Sequence, residues 1–177
     1  MLGNVCVKTK FACVLGGLLV AGCADFVDVP TAPQPVTFTS ERAKTAAKTF
    51  TQSEFRFVQS TERGVSDDKE VVGARCVMKG DGFGATFNSP AILMMPAYVG
   101  DAGSINVTCR ANERSVAQDF KPVNVTLQRI QQAPVPGVGL VGALVTAAAK
   151  GIATSARDPL KDEFNYPPRV VVVDGVK

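Results

Sequence analysis

The five cysteines are the residues of this chain whose chemistry can be argued first. They are Cys6, Cys13, Cys23, Cys76 and Cys109, and the chain contains neither histidine nor tryptophan. A thiol can carry a lipid, form a disulfide, bind a metal or act as a redox group, and its surroundings select among these uses. Because histidine is absent, the commonest general base and the commonest zinc ligand are missing. The cysteine pattern therefore favours modification and cross-linking over catalysis.

The first 22 residues have the three-part layout of an export signal. Lys8 and Lys10 supply a positive start, an apolar run covers residues 11–20, and two small residues follow it. The apolar run is too short to span a bilayer, which takes about 20 apolar residues. Residues 1–22 are therefore predicted to be a signal peptide that is removed after export.

The five residues LVAGC at positions 19–23 close this segment and resemble the bacterial lipobox. The resemblance implies that diacylglycerol is added to the Cys23 sulfur and that the chain is cleaved just before this residue. A processed lipoprotein cysteine normally carries three acyl chains, and more than one chain is needed for stable anchoring to a bilayer. The alternative is a plain secretory signal with an incidental cysteine.

The residues after Cys23 bear on the membrane that would receive the protein. In known lipoproteins an Asp directly after the lipid cysteine tends to retain the chain in the inner membrane. Here Ala24 holds that position and Asp25 comes one later. By this resemblance the chain is expected on the outer membrane, facing the periplasm, with the inner membrane and the cell surface as alternatives. The lipid bilayer is then its predicted partner.

Cys76 and Cys109 remain once the signal cysteines are removed and Cys23 is lipidated. Both would face an oxidising periplasm, so we predict a disulfide between them. Closing a loop of this size stabilises a fold by about 3–4 kcal/mol in the chain-entropy description. The alternative, a redox-active pair, lacks the Cys-x-x-Cys spacing and a nearby histidine.

Charge gives no indication of a nucleic-acid partner. The chain has 19 Lys and Arg against 16 Asp and Glu, and two of the basic residues belong to the signal, which has no acidic residue. The mature chain therefore holds 17 basic and 16 acidic residues, a net charge near +1. Without a basic excess, nucleic-acid binding is not predicted. Hydrophobic residues make up 46% of the chain, enough for a packed core.

Composition divides the mature chain into a tether and one domain. Residues 24–37 carry three prolines and little apolar periodicity, so residues 23–39 are predicted to be a lipidated tether. Residues 40–177 are predicted to form a single small domain. Residues 40–54 begin either a short helix with Ser40 as its N-cap or a strand.

Alternating runs separated by turn clusters predict a mostly β domain, a small antiparallel sandwich or sheet with one Gly/Ala-rich helix before the last strand. The predicted strands cover residues 55–60, 71–78, 85–88, 91–95, 104–111 and 123–127. The disulfide would then tie two strands, within one sheet or across the two sheets. The last run, RVVVV at 169–173, is too continuous to be half exposed, so it is predicted in the sheet interior or under the helix.

A Gly/Ala-rich segment at about 137–155 differs from the rest of the chain. Gly139, Ala143, Ala147 and Gly151 fall four residues apart and would form one ridge of small side chains on a helix. Such a ridge lets another backbone approach closely. Three interpretations stay open: the helix packs on its own sheet, it docks on a protein partner or a second copy, or it contacts the membrane. Its apolar run is too short to span a bilayer.

The paired-cysteine region and the segments after it resemble a group of small bacterial outer-membrane lipoproteins. The resembling segments are residues 74–96, 104–112, 137–153 and 166–173. Members typically carry a cysteine strand, a glycine turn, Thr-Pro before an apolar strand, and a second cysteine strand. This chain has Ser89-Pro90 in place of Thr-Pro. The resemblance implies an Ig-like or PEGA-like β domain in a family without an established activity.

No catalytic or metal-binding set is found in the sequence. Ser104 and Ser115 have no histidine to activate them, and Asp67-Asp68 lacks further oxygen ligands at calcium-loop spacing. The glycine-rich stretch 80–84 lacks the Lys-Ser/Thr of a phosphate loop and is predicted to be a turn. No enzyme activity, metal or cofactor is predicted. The expected role is structural or interactive in the cell envelope, and the alternative is a binding module for a small ligand, a glycan or peptidoglycan.

Overall fold

Alternation of apolar and polar residues gives most of the described chain its extended conformation. The computed structural model describes residues 26–29, 31–60, 69–132, 151 and 153–175. Buried and more exposed positions alternate along Ile105–Ala111, because successive side chains of a strand point to opposite faces. Two sheets form and bury their inner faces against each other, which confirms the predicted mostly β sandwich.

The secondary-structure elements have the following bounds. The strands within the described ranges are β1 (Gln34–Pro35), β2 (Thr37–Phe38), β3 (Thr49–Gln59), β4 (Lys69–Glu70), β5 (Arg75–Gly80), β6 (Phe83–Asn88), β7 (Ala91–Val99), β8 (Ile105–Ala111), β9 (Arg114–Phe120), β10 (Val123–Asn124), β11 (Glu163–Asn165) and β12 (Arg169–Asp174). The helices are α1 (Glu41–Ala46) and α2 (Val125–Gln132), with a 3-10 turn at Pro159–Lys161. Residues 151 and 153–156 are also helical.

The first sheet has the order β10-β11-β7-β3-β12, with β1 also paired to β7 and β4 to β3. Two of its pairs, β1 with β7 and β12 with β3, are parallel, and the other pairs are antiparallel. The second sheet is antiparallel throughout, in the order β2-β6-β5-β8-β9.

The core lies between the two sheets. Phe55 of β3 meets Phe87 of β6 across the interface, with ring centroids 5.2 Å apart in an edge-to-face arrangement. Leu93 of the first sheet and Ile105 and Val107 of the second are fully buried beside them. Burying side chains of this size contributes about 1.5–3 kcal/mol each, so this interface holds the two sheets together.

The predicted disulfide is confirmed, and it links neighbouring strands of one sheet. Cys76 and Cys109 lie directly opposite each other on β5 and β8, with their Cα atoms 4.1 Å apart. Both side chains are buried in the core. Of the two arrangements left open by the sequence, the structure has the bridge within the second sheet rather than across the sandwich.

The strand predicted over 123–127 is wrong beyond Asn124. The backbone N–H of Leu127 donates to Asn124 Oδ1 at 2.8 Å, a local bond typical of the residue that opens a helix. Helix α2 begins directly after it, although the sequence alternates as a strand would. The neighbouring strand β9 was not predicted; it forms a hairpin with β8 through a turn in which Asn112 has φ of 53°.

Strand β12 differs from the interior position predicted for it. It lies at the end of the first sheet, and only Val170 and Val172 are buried, while Val171 is half-buried. Strand β9 of the other sheet comes close to it, where the Val173 N–H donates to Gln118 Oε1 at 3.0 Å. The continuous valine run is therefore accommodated at a corner of the sandwich.

The tether predicted at 23–39 is partly integrated into the domain. Strand β1 pairs with β7 and β2 pairs with β6, and Val36 between them is buried in the core. Helix α1 then begins with Ser40 as its N-cap, and β3 follows, so residues 40–54 contain both a helix and the start of a strand. The prolines do not prevent this, because proline is tolerated at strand edges.

The Asp81-Gly82 turn between β5 and β6 supports α1 and allows a test of this packing. Gly82 has φ of +77°, and a Cβ there would lie 2.7 Å from the Cβ atoms of Ser40 and Ala43. Gly82→Ala is expected to lower the free energy of unfolding, measured in urea. Backbone strain should contribute about 1–2 kcal/mol of this loss, and overpacking about 1–3 kcal/mol. Gly73→Ala is the matched control, because Gly73 has φ of +80° and no described atom lies within 4 Å of its Cβ position. Equal losses in the two variants would contradict the packing of α1 on this turn.

Candidate functional site

The residues that follow the predicted lipid site dock onto the first sheet. Phe26 lies three positions after Cys23, and its ring centroid is 4.8 Å from the guanidinium carbon of Arg56 and 5.4 Å from that of Arg169. Both distances are within the range of cation–π attraction. We call Phe26, Glu54, Arg56, Glu70 and Arg169 the N-terminal clamp, because their contacts fix the start of the described chain.

Arg56 is the centre of the N-terminal clamp. Its side chain is only 5% exposed, and its Nη1 donates to the Val27 carbonyl at 2.9 Å and to Glu70 Oε1 at 2.5 Å. Its Nε donates to Glu54 Oε1 at 2.7 Å, and Nη2 donates to the same oxygen. Glu70 Oε2 accepts from the Val27 N–H at 2.7 Å. The Val27 peptide groups are therefore held on both sides by the sheet.

Strand register brings the clamp together. Glu54 and Arg56 are two apart on β3 and therefore share one face. Arg169 is the parallel partner of Glu54 on β12, and its Nε donates to Glu54 Oε2 at 3.0 Å. Two arginines thus meet two glutamates, and within this group the buried Arg56 and Glu70 have the partners that buried charges require.

The charges around Glu54 determine its ionisation. Burial alone would raise the pKa of Glu54, but hydrogen bonds and positive charge from Arg56 and Arg169 outweigh that effect and lower it. The carboxylate form is therefore favoured in the folded state. As the pH falls, the unfolded chain protonates the Glu54 carboxylate at a higher pH than the folded chain does. Stability is therefore lost as the pH falls below the ordinary pKa of a glutamate.

Acid unfolding tests this link. The free energy of unfolding of the wild type is expected to fall as the pH drops below about 4.5, through the lowered pKa of Glu54. Glu54→Gln should show a shallower decline in urea unfolding over the same range, because it has no carboxyl proton to take up. Glu41→Gln, at an exposed position on α1, is the control and should keep the wild-type slope. A wild-type slope in Glu54→Gln would count against a clamp built on an ionised Glu54.

A second feature is a cavity of about 540 Å³ at one end of the sandwich. Aromatic side chains, two carboxylates and one arginine line it together with small residues. The lining residues are Ser40, Arg42, Ala43, Ala46, Asp81, Phe83, Tyr98, Val99, Asp101, Ala102, Gly103 and Tyr166. We call it the tyrosine cavity, because both tyrosines of the chain lie there.

The two tyrosine hydroxyls differ in their hydrogen bonds. The Tyr166 hydroxyl donates to the Gly103 carbonyl at 2.8 Å. The Tyr98 hydroxyl is buried and has no hydrogen-bond partner within the described part of the chain. Phe83 lies between the rings, with centroids 6.3 Å from Tyr98 and 5.8 Å from Tyr166. A buried phenol without a partner is costly, so this hydroxyl has an unused bonding capacity next to the cavity.

Burial raises the pKa of both tyrosines, and the Asp81 charge adds to the effect; for Tyr166 the neighbouring Tyr98 contributes as well. The unfolded chain therefore loses its phenolic protons at a lower pH than the folded chain. Stability is expected to fall as the pH rises past about 10, the ordinary tyrosine pKa. Urea unfolding across this range should show a shallower loss for the double variant Tyr98→Phe/Tyr166→Phe. Identical slopes in the two proteins would mean that these phenols do not control the alkaline loss.

The cavity chemistry suits a neutral or cationic polar ligand. Asp81 and Asp101 provide carboxylates that accept hydrogen bonds, and Arg42 is the one positively charged side chain of the lining, so the charge balance is negative. Aromatic side chains with a few polar groups are typical of ligand pockets.

The structure places the sequence-predicted residues unevenly. Cys23, Gly139, Ala143 and Ala147 lie outside the described residues. Gly151 is helical and exposed, and a Cβ built on it meets no described atom within 4 Å. No ridge contact is therefore seen at the one ridge residue that is described.

Sequence reasoning missed both the N-terminal clamp and the tyrosine cavity. One signal for the clamp is local: Glu54 and Arg56 share one face of β3, while their neighbours Phe55 and Phe57 are on the other face. A signal for the cavity is the position of the tyrosines, Tyr98 two residues before Gly100 and Tyr166 directly before a proline pair. Neither signal identifies Phe26 as the ring that the two arginines contact.

Two further observations concern the described residues. No helix among them is long and apolar enough to cross a membrane. No group of three or more cysteine, aspartate or glutamate side chains among them is arranged to hold a metal ion.

Comparisons of this chain with protein families, with curated proteins and with solved structures find no match. The resemblance to the paired-cysteine lipoproteins therefore rests on the sequence segments quoted above and stays a prediction.

Proposed function

We propose that this chain is a lipid-anchored lipoprotein of the bacterial envelope, held on the outer membrane through Cys23 and facing the periplasm. Its role is structural or interactive rather than catalytic. The observation that carries the proposal is the LVAGC sequence at 19–23, placed directly after a positive start and an apolar run. The Cys76–Cys109 disulfide supports it, because such bonds persist in oxidising compartments.

Metabolic labelling with an alkyne-bearing fatty acid tests the anchor. The full chain with a C-terminal tag is expressed in a bacterium, and the label is detected on the purified protein. Wild type and Cys13→Ser should both carry the label and remain with the membranes in the presence of high salt. Cys23→Ser should lose the label. Because Cys13 lies in the same segment, labelling that depends on neither cysteine, or on Cys13, would overturn the proposal.

A second candidate function, a binding module, is favoured by one observation. The Tyr98 hydroxyl is buried without a hydrogen-bond partner among the described residues, and its side chain lines a cavity with two carboxylates. A polar ligand with hydroxyl or amino groups would supply the missing bond once a small side-chain shift opens the buried hydroxyl to the cavity. A glycan containing N-acetylglucosamine is the suitable first probe, because its hydroxyls donate to carboxylates and its C–H faces pack on aromatic rings.

Tyrosine fluorescence reports this cavity selectively. The chain has no tryptophan, and its two tyrosines are Tyr98 and Tyr166. Titration with oligomeric N-acetylglucosamine should change the emission saturably, and Tyr98→Phe should weaken binding about tenfold, the cost of one lost hydrogen bond. Tyr166→Phe is the control, because its hydroxyl already bonds Gly103. An unchanged emission in the wild type would remove the glycan as a ligand.

A further inference from the structure

We propose that Phe26, Val27 and Arg169 form a membrane-contacting surface that holds the outer face of the first sheet against the bilayer. The inference rests on the proposed lipid anchor at Cys23 and adds an orientation to it. The domain would then lie on the membrane with one face turned toward it, instead of taking many orientations on a flexible tether.

The chain between the anchor and the clamp is short. Phe26 is three positions after Cys23, with two residues between them. A fully extended chain spans at most about 3.3–3.6 Å per residue, so the two Cα atoms are within about 11 Å. The headgroup layer of one leaflet is about 5–8 Å thick. Phe26 therefore stays close to the membrane surface whatever path the intervening residues take.

The clamp shortens the free chain between the anchor and the domain. Without the clamp, the next strand pairing begins at Gln34, opposite Leu93 of β7. That pairing would then lie eleven positions after Cys23, a reach of about 36–40 Å. The clamp holds the Val27 peptide groups through Arg56 and Glu70 and so shortens the free chain to the residues before Phe26.

The surface near the end of this short chain segment has both apolar and positively charged side chains. The apolar side chains of Phe26 and Val27 are 37% and 50% exposed, although both are bound to the sheet. Arg169 lies beside the Phe26 ring, and its side chain is 54% exposed. An aromatic ring, an aliphatic group and an arginine together match the composition of segments that lie in a membrane interface. The bilayer that carries the lipid anchor is the occupant that chain length places there.

Depth-dependent quenching of a single tryptophan tests the proposed surface, because the wild-type chain has none. Phe26→Trp keeps an aromatic ring over the two arginines and introduces the reporter. Purified lipidated protein is reconstituted into vesicles of phosphatidylethanolamine and phosphatidylglycerol that contain lipids spin-labelled near the headgroup. Ala117→Trp is the matched control, since Ala117 is exposed on β9 of the second sheet, on the opposite side of the sandwich.

The expected result is strong quenching of the indole in Phe26→Trp and little quenching in Ala117→Trp. A flexible Gly-Ser linker inserted between Asp25 and Phe26 should also abolish the quenching, while the clamp itself stays intact. Flotation with the vesicles is measured first. Protein that does not float overturns the lipid anchor and this inference together. Protein that floats with equal quenching at both positions, or with none in Phe26→Trp, overturns the orientation and leaves the anchor standing.

Discussion

Replacing Arg56 by methionine is expected to lower the free energy of unfolding by about 3–5 kcal/mol. The methionine fills a similar volume but leaves Glu70, whose side chain is 3% exposed, without its cation. Glu54 loses one of its two arginine partners, and the Phe26 ring loses one of its two cations. Most of the expected loss comes from the Glu70 carboxylate, because a buried charge left without its ion-pair partner is strongly destabilising.

Arg169→Met is the matched control for this prediction. Arg169 contacts the same ring and the same glutamate as Arg56, but its side chain is largely exposed. An exposed ion pair contributes about 0–1 kcal/mol, so only a small loss is expected. Urea unfolding of the three proteins at neutral pH measures both effects. Losses of equal size would contradict the central position given to Arg56, and the double variant Arg56→Met/Glu70→Leu should recover part of the stability.

Removal of the disulfide is expected to lower the free energy of unfolding by a comparable amount. Cys76 and Cys109 are 33 residues apart in sequence, and opening a loop of this length costs about 3–4 kcal/mol through the entropy of the unfolded chain. The double variant Cys76→Ala/Cys109→Ala should unfold at a correspondingly lower urea concentration. Some further loss is expected because both side chains are fully buried between the sheets.

Reduction of the wild type separates the two contributions. Reduced wild-type protein keeps both sulfur atoms in the core and loses only the cross-link, so its loss measures the loop entropy. The alanine variant should lose more than the reduced wild type. A loss below about 1 kcal/mol in both would contradict a stabilising role, since loop entropy alone predicts more.

The parts of the fold that the sequence predicts are those determined by local pattern. Alternation of buried and exposed residues identified β8, and the Asp81-Gly82 turn is a strong hairpin signal. The disulfide was predictable because only two cysteines remain after residues 1–23 are set aside. Ser40 marked the start of α1, because a serine before a helical run accepts a hydrogen bond from the first turn.

The parts that the sequence did not predict depend on distant partners. Arg56 contacts Val27 and Glu70, which are 29 and 14 residues away, and no local pattern encodes either contact. The Asn124 amide donates to Asp162 Oδ2 at 2.6 Å across 38 residues. This bond fixes the site where β10 gives way to α2, so a sequence that alternates as a strand continues as a helix.

The Asp162 carboxylate shows the same dependence on long-range contacts. Its pKa is lowered, first by the hydrogen bond from Asn124 and then by Arg157, against the opposing effect of burial. Asp162 lies at the end of the 3-10 turn, and its carbonyl accepts from the Gly100 N–H at 2.9 Å. Three separate segments therefore converge on one residue, and no local sequence pattern indicates these contacts.

Lipid attachment at Cys23 is the central claim, and the intact mass of the membrane-extracted protein tests it most directly. The expected mass lacks residues 1–22 and exceeds that of residues 23–177 by one glyceryl group and three acyl chains. A mass that includes residues 1–22, or a mature chain that begins at residue 23 without acyl groups, would contradict the lipid anchor.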